Sequence, residues 1–176
     1  MPDKIETPRL VLRRMTLADA PALHDFMCDA ETMRYWSSLP HATLAETEAF
    51  VGDTLGAVAA GTSDDFLITH GGAILGKAGL WHGSELGILL GRPYWGQGFA
   101  QEASKAVVER AFARGKTEIV ADVDPRNTAS LKMLGRLGFQ KTGEAKATFR
   151  IGEAWVDSVY LSLTKDQYDS ANHPIR

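Results

Sequence analysis

The sequence predicts an α/β fold of the α+β kind, in which helices pack on a mixed, mostly antiparallel central sheet. Helix-like and strand-like segments follow one another in the order β-α-α-β-β-β-α-β-α-β-β. Most consecutive strands are joined by short turns that contain glycine, and such turns produce antiparallel hairpins. Only one strand–helix–strand unit interrupts the hairpins, and such a unit joins two parallel strands by a right-handed crossover.

One strand and two helices are predicted in the first part of the chain. Arg9 to Arg13 forms a short strand around three consecutive apolar residues. Thr16 precedes an apolar pattern of helical period and has Asp19 three residues later, which is typical of a helix N-terminus. Thr43 and Glu46 have the spacing of a capping box, and a second helix begins there.

The rest of the chain alternates between period-two and helical patterns. On the long helix, a stripe rich in alanine and valine is predicted to face the core. Glu102, Lys105 and Glu109 lie on its opposite face, which we expect to be solvated. The predicted elements are strands at 65–69, 73–80 and 84–90, a helix at 99–114, a strand at 118–124, a helix at 128–137, and two strands within 139–163.

The composition is that of a globular domain. The chain has 176 residues, 44% of them apolar, and a net charge of −3. We expect a single domain over residues 1–176 with a core at about 6–164, as a monomer or homodimer. The charge excludes the basic footprint of a nucleic-acid partner, and no apolar run has the length of a membrane span. The first ten residues lack the apolar segment of a signal peptide, so we expect a cytoplasmic protein.

Cysteine and histidine usage argues against disulfide and metal chemistry. Cys28 is the only cysteine, which excludes an internal disulfide, and its apolar helical surroundings predict a small buried side chain. None of the five histidines has another histidine three or four residues away. We therefore expect no metal site.

A glycine-containing turn joins the strand at 84–90 to the long helix. Gly96 and Gly98 are spaced two residues apart, immediately before Phe99. Because glycine has no Cβ, backbone N–H groups in such a turn can approach an anion, and the helix N-terminus adds a positive partial charge. The same pattern also fits a tight turn with close helix packing. A dinucleotide-binding fold is excluded, since one strand–helix–strand unit among hairpins cannot build a doubly wound sheet.

Three segments resemble the GNAT superfamily of N-acetyltransferases. The segment 95–100, with the sequence WGQGFA, resembles their CoA-pyrophosphate loop. Residues 124–130, followed by Leu137, Gly138 and Phe139, resemble the helix and turn after the fifth strand of that fold. The opening segment 6–13, ETPRLVLR, resembles the Rim-type branch, which acetylates the N-termini of ribosomal proteins. The resemblance spans about residues 6–164.

The resemblance implies acetyl-CoA as co-substrate. In this fold the two strands on either side of the long helix, here 85–90 and 118–124, splay apart at one end. Ile88 and Leu90 are therefore expected to offer backbone groups to pantetheine. Trp95 stands where the loop pattern has Arg or Gln, and Arg92 or Arg136 is expected to compensate. The residues expected to bind the pyrophosphate are Trp95, Gly96, Gln97, Gly98, Phe99 and Ala100.

The resemblance also implies catalytic roles. Glu85 is the expected general base, with His82 as the alternative because imidazole titrates near neutral pH. Asn127 is expected to cap the next helix and to hydrogen-bond toward the cofactor, and the Ser130 hydroxyl is expected to reach the thiolate. Leu134 replaces the Tyr that serves many relatives as general acid, so the general acid stays open.

The predicted function is acetyl transfer from acetyl-CoA to a primary amine, directly and within a ternary complex. The branch resemblance favours a protein or peptide N-terminal amine as acceptor. A small amine such as an antibiotic, a polyamine or an amino acid is one alternative, and a catalytically idle acetyl-CoA sensor is another. The loop from Arg34 to Thr43, with Tyr35 and Trp36, is expected to govern the choice of acceptor.

Overall fold

The computed structural model describes residues 4–172, which build one eight-stranded sheet flanked by helices. No helix in this part of the chain has the length and apolar character needed to cross a bilayer. The strands are β1 (Lys4–Glu6), β2 (Val11–Arg13), β3 (Asp64–His70), β4 (Ala73–Trp81), β5 (Glu85–Leu90), β6 (Glu118–Val123), β7 (Gln140–Ile151) and β8 (Ala154–Thr164). The α-helices are α1 (Ala20–Met27), α2 (Leu44–Ala59), α3 (Phe99–Ala113), α4 (Thr128–Leu137) and α5 (Lys165–Asn172).

The sheet has the predicted mixed topology, with the strand order β1-β2-β3-β4-β5-β6-β8-β7. Every neighbouring pair is antiparallel except β5 and β6. That parallel pair shares a single register position, Glu85 opposite Val120. Beyond Glu85 the two strands separate, so the predicted splay is present in the structure.

Alternation along the strands divides the core between the two faces of the sheet. On β3, Phe66 and Ile68 pack in the large cluster that includes α3 and α4, whereas Leu67 packs against α1 and α2. On β4, Ala78 and Leu80 also pack in the cluster that includes α3 and α4. The helical hairpin α1–α2 therefore covers one face of the sheet, and α3 and α4 cover the other.

Helix ends follow the sequence signals closely. The side chain of Asp19 accepts a hydrogen bond from the Thr16 N–H at 2.8 Å, although the first turn, 17–19, is a 3₁₀-helix. The Thr43 side chain accepts from the Glu46 N–H and caps α2. Helix α4 occupies the predicted residues and ends at Gly138, whose φ is +97°. Strand β1 and helix α5 were not predicted, because neither has a distinct apolar period.

Candidate active site

The turn after β5 exposes a row of backbone amides. Gly96 and Gly98 have φ values of +71° and +80°, which glycine adopts without steric cost. Within residues 4–172, no protein acceptor engages the N–H groups of Gly96, Gln97 or Gly98. The first amides of α3 also lack intrahelical partners, as at any helix start. The turn is therefore a site of unsatisfied donors at a helix N-terminus, where an anion is stabilised.

A cavity of about 400 Å³, here called the loop cavity, lies beside this turn. Its walls contain eight of the nine residues predicted to bind the cofactor, namely Ile88, Leu90, Trp95, Gly96, Gly98, Phe99, Ala100 and Asn127. Gln97 is the exception, since its side-chain amide donates to the Pro93 carbonyl at 2.9 Å. The structure thus brings the predicted cofactor residues together around one space.

Trp95 and the two candidate arginines take different positions. The Trp95 indole N–H donates to the Leu90 carbonyl at 2.6 Å, so this ring ties the turn to the end of β5. Arg136 lines the loop cavity. Arg92 lies 3.7 Å from the Asp29 carboxylate and is not part of the cavity wall. Of the two arginines, Arg136 lines the loop cavity and Arg92 does not.

The separated ends of β5 and β6 open into a second cavity of about 530 Å³, here called the sheet cavity. Its floor includes Gly79 and Gly87, which face each other on neighbouring strands. A Cβ on Gly79 would lie 2.5 Å from the Cα of Asp65, so no other residue fits there without displacing β3. A Cβ on Gly87 would meet only Trp36, at 3.8 Å. The absence of side chains at both positions keeps the floor open.

A buried ion pair borders the sheet cavity. Lys77 Nζ lies 2.9 Å from Asp65 Oδ1, and both side chains are less than a tenth exposed. The ammonium also lies 5.4 Å from the centre of the Trp36 ring and 5.0 Å from that of Phe50. Ser63 donates to the other Asp65 oxygen at 2.8 Å. Sequence reasoning missed this pair, although a lone lysine within an apolar strand was the available signal.

Glu85 lies in the sheet cavity, where β5 and β6 begin to diverge. Burial raises the pKa of its carboxyl, and the nearby charge of Asp122 raises it further, against a smaller opposing effect of His82. A raised pKa brings a carboxylate closer to the range in which it accepts protons effectively at neutral pH. His82 is exposed, packs beside Trp81, and does not line the cavity. Of the two predicted bases, Glu85 lines the sheet cavity and His82 does not.

The two cavities meet at a common wall. Tyr35, Trp36, Ile88, Asn127, Ser130 and Met133 line both of them. The predicted acceptor loop therefore touches both spaces, whereas it was expected to serve the acceptor alone. The two cavities are therefore adjacent, with these six residues between or beside them.

Residues 9–140 match the family described as an acetyltransferase (GNAT) domain. The chain belongs to the GNAT acetyltransferase family. It is 29% identical to the uncharacterized N-acetyltransferase p20 of Bacillus licheniformis, over 94% of this chain and 98% of that protein. These findings, together with the site, identify an N-acetyltransferase.

Two solved acetyltransferase structures share the fold at low sequence identity. One is RimL, a ribosomal L7/L12 α-N-protein acetyltransferase in complex with CoA, with a TM-score of 0.84 and 20% identity over 93% of this chain and 99% of that one. The other is spermidine N-acetyltransferase from Vibrio cholerae in complex with CoA and spermine, with a TM-score of 0.81 and 18% identity over 92% and 99% of the two chains.

Helix α4 of this GNAT chain and its N-cap residue include three of the residues singled out in the sequence. The Asn127 side-chain oxygen accepts from the Ser130 N–H at 3.1 Å and caps the helix, as predicted. Ser130 and Leu134 lie one turn apart on the same face, and both line the sheet cavity. Leu134 is buried and supplies no proton donor. Ser130 is therefore the hydroxyl-bearing side chain of α4 at the common wall.

Expectations about three residues were wrong. Cys28 is exposed; it caps the C-terminus of α1, and the preceding residue Met27 is the one buried in the core. Glu102 and Glu109 are not merely solvated, since the Glu102 carboxylate accepts hydrogen bonds from Thr7 and Arg9, and the Glu109 carboxylate accepts one from the Tyr168 hydroxyl at 2.9 Å. Among residues 4–172, no group of His, Cys, Asp and Glu could hold a metal ion, and His173 lies outside this range.

Proposed function

We propose that this enzyme transfers the acetyl group of acetyl-CoA directly to a primary amine, with both substrates bound at once. The observation that carries the proposal is the common wall between the loop cavity and the sheet cavity. The exposed amides of the turn suit the pyrophosphate of CoA, and the sheet cavity suits the acceptor. Transfer between adjacent sites requires no covalent enzyme intermediate.

The cofactor side is assigned to backbone groups. The amides from Gly96 to Ala100 would hold the pyrophosphate by charge-assisted hydrogen bonds. Ile88 and Leu90 lie beyond Glu85, the one position at which β5 pairs with β6, and both line the loop cavity, so their backbone groups suit pantetheine. The Leu90 carbonyl already accepts a hydrogen bond from the Trp95 indole N–H. The backbone of Ile88 is therefore the more available hydrogen-bond partner for pantetheine.

The chemical step is assigned to Glu85 and Ser130. Glu85 takes a proton from the attacking amine, directly or through water, as the new nitrogen–carbon bond forms. The carbon–sulfur bond then breaks, and the Ser130 hydroxyl donates a hydrogen bond to the departing thiolate. The negative charge of Glu85 and Asp122 also favours entry of a cationic ammonium group into the sheet cavity.

The acceptor we favour is a protein or peptide N-terminal amine. The opening segment 6–13 supports this choice through its resemblance to the Rim-type branch, and the shared fold with RimL is consistent with it. A small amine such as a polyamine is the second candidate, because the same fold serves the spermidine enzyme.

A thiol-release assay with paired acceptors tests the proposal. Short peptides with free N-termini are compared with the same peptides carrying a blocked N-terminus, and with polyamines and amino acids. We expect release of CoA with the free peptides only, and mass spectrometry should place the acetyl group on the terminal nitrogen. Turnover confined to small amines would contradict the favoured acceptor, and no turnover with any amine would contradict the proposed function.

A further inference from the structure

A hydrogen bond from the Arg9 side chain fixes the peptide bond between Gln97 and Gly98. Arg9 Nη1 donates to the Gln97 carbonyl oxygen at 2.9 Å. In a planar trans peptide the carbonyl and the following N–H point in opposite directions. A fixed Gln97 carbonyl therefore fixes the direction of the Gly98 N–H, which points away from Arg9.

Arg9 is itself held by hydrogen bonds to Glu102 in the first turn of α3. Its Nε donates to Glu102 Oε2 at 2.6 Å, and its backbone N–H donates to Glu102 Oε1 at 2.9 Å. Thr7 Oγ1 donates to the same Glu102 Oε1 at 2.6 Å. The guanidinium lies 4.6 Å from the centre of the Phe99 ring, and His70 Nδ1 lies 2.7 Å from the Arg9 carbonyl.

We propose that Arg9 is a positioning residue that presets the Gly98 amide for the pyrophosphate of acetyl-CoA. This inference rests on the proposed function. Arg9 lines neither cavity, so it acts through the turn and not by touching the cofactor. Its charge is balanced by Glu102, so long-range attraction of phosphate is not the main effect. The segment 6–13, which stood out in the sequence, thereby acquires a physical role.

A comparison of two acetyl thioesters tests this role. Acetyl-CoA carries the pyrophosphate, whereas S-acetylpantetheine lacks both the pyrophosphate and the nucleotide. In Arg9→Met, which keeps an unbranched side chain over Phe99, we expect Kd for CoA by calorimetry and KM for acetyl-CoA to rise ~10-fold, about the loss of one charge-assisted hydrogen bond. The value of kcat/KM for S-acetylpantetheine should stay within twofold of wild type.

Arg13→Met is the matched control, because Arg13 is a similarly exposed arginine whose ion pair with Asp19, at 2.7 Å, lies away from the turn. In this control, the Kd for CoA, the KM for acetyl-CoA and the kcat/KM for S-acetylpantetheine should all stay at their wild-type values. If Arg9→Met does not fold, Glu102→Gln gives the same comparison, since it loosens Arg9 without removing it.

Equal losses for the two thioesters, or a CoA affinity within twofold of wild type in the Arg9 variant, would overturn the inference. The proposed function fails separately, through absence of turnover with any amine. Calorimetry with CoA needs no acceptor amine, so it tests the role of Arg9 in cofactor binding whether or not the enzyme acetylates any amine.

Discussion

Replacing Gly98 with valine should remove cofactor binding while the fold survives. Gly98 has a φ of +80°, and a Cβ there would lie 3.3 Å from Arg9 Nη2. A residue other than glycine in this region costs about 1–2 kcal/mol, and a β-branched side chain costs more. A turn that relaxes to a negative φ redirects its amides away from the cavity. Loss of two charge-assisted hydrogen bonds, each of about 1.5–3 kcal/mol, lowers affinity by about a hundredfold or more.

The assay is calorimetric titration with acetyl-CoA beside a thermal melt. Gly115→Val is the matched control, because Gly115 has a φ of +87°, a Cβ added there would enter open space, and the residue lies at the far end of α3. Both variants should lose similar stability, but only Gly98→Val should lose the cofactor. Binding within a few-fold of wild type in folded Gly98→Val refutes the pyrophosphate assignment, as does equal loss in the control.

Three further variants separate the roles of the site. Cys28→Ala should keep wild-type turnover, because this exposed thiol lines neither cavity; near-complete loss in a folded protein would contradict direct transfer. Trp81→Ala should raise KM for the amine and leave KM for acetyl-CoA unchanged, since Trp81 lines the sheet cavity but not the loop cavity. The reverse result would mean that the sheet cavity binds the cofactor and the loop cavity binds the amine. Glu85→Gln should lower kcat by about 10²- to 10⁴-fold with little change in cofactor affinity, and the deficit should shrink as pH rises and more amine is neutral; an unchanged pH–rate profile would remove Glu85 from the mechanism.

Glu85→Gln should also stabilise the protein at neutral pH. The pKa of Glu85 is raised in the folded state, so its contribution to stability is present in acid and is lost as pH rises through that pKa. The melting temperature of the variant should therefore match wild type in acid and exceed it once the pH passes the ordinary glutamate pKa of 4.5. A constant difference across pH would show that burial of the carboxylate is not the cause.

Local patterns predicted those parts of the fold that depend on nearby residues. Helix α4 is bounded by an asparagine cap and a terminal glycine, and both signals lie within the segment itself. The turn at Gly96 and Gly98 was visible for the same reason, because positive φ demands glycine locally. The single parallel strand pair followed from the order of the elements.

Features that depend on distant partners could not be predicted. Glu102 binds Arg9 across 93 positions of the chain, and no local pattern distinguishes that carboxylate from a solvated one. The Asp65–Lys77 pair needs the register of β3 and β4 and the space left by Gly79. The raised pKa of Glu85 likewise depends on burial and on Asp122, which belongs to another strand.

Two-substrate kinetics test the central claim most directly. If acetyl-CoA and the amine occupy the adjoining cavities together, initial rates measured over a grid of both concentrations should give intersecting double-reciprocal lines. Enzyme mixed with acetyl-CoA alone should release no stoichiometric burst of CoA and should gain no acetyl mass. Parallel lines with a burst equal to the enzyme concentration would contradict direct transfer, because they require an acetylated enzyme.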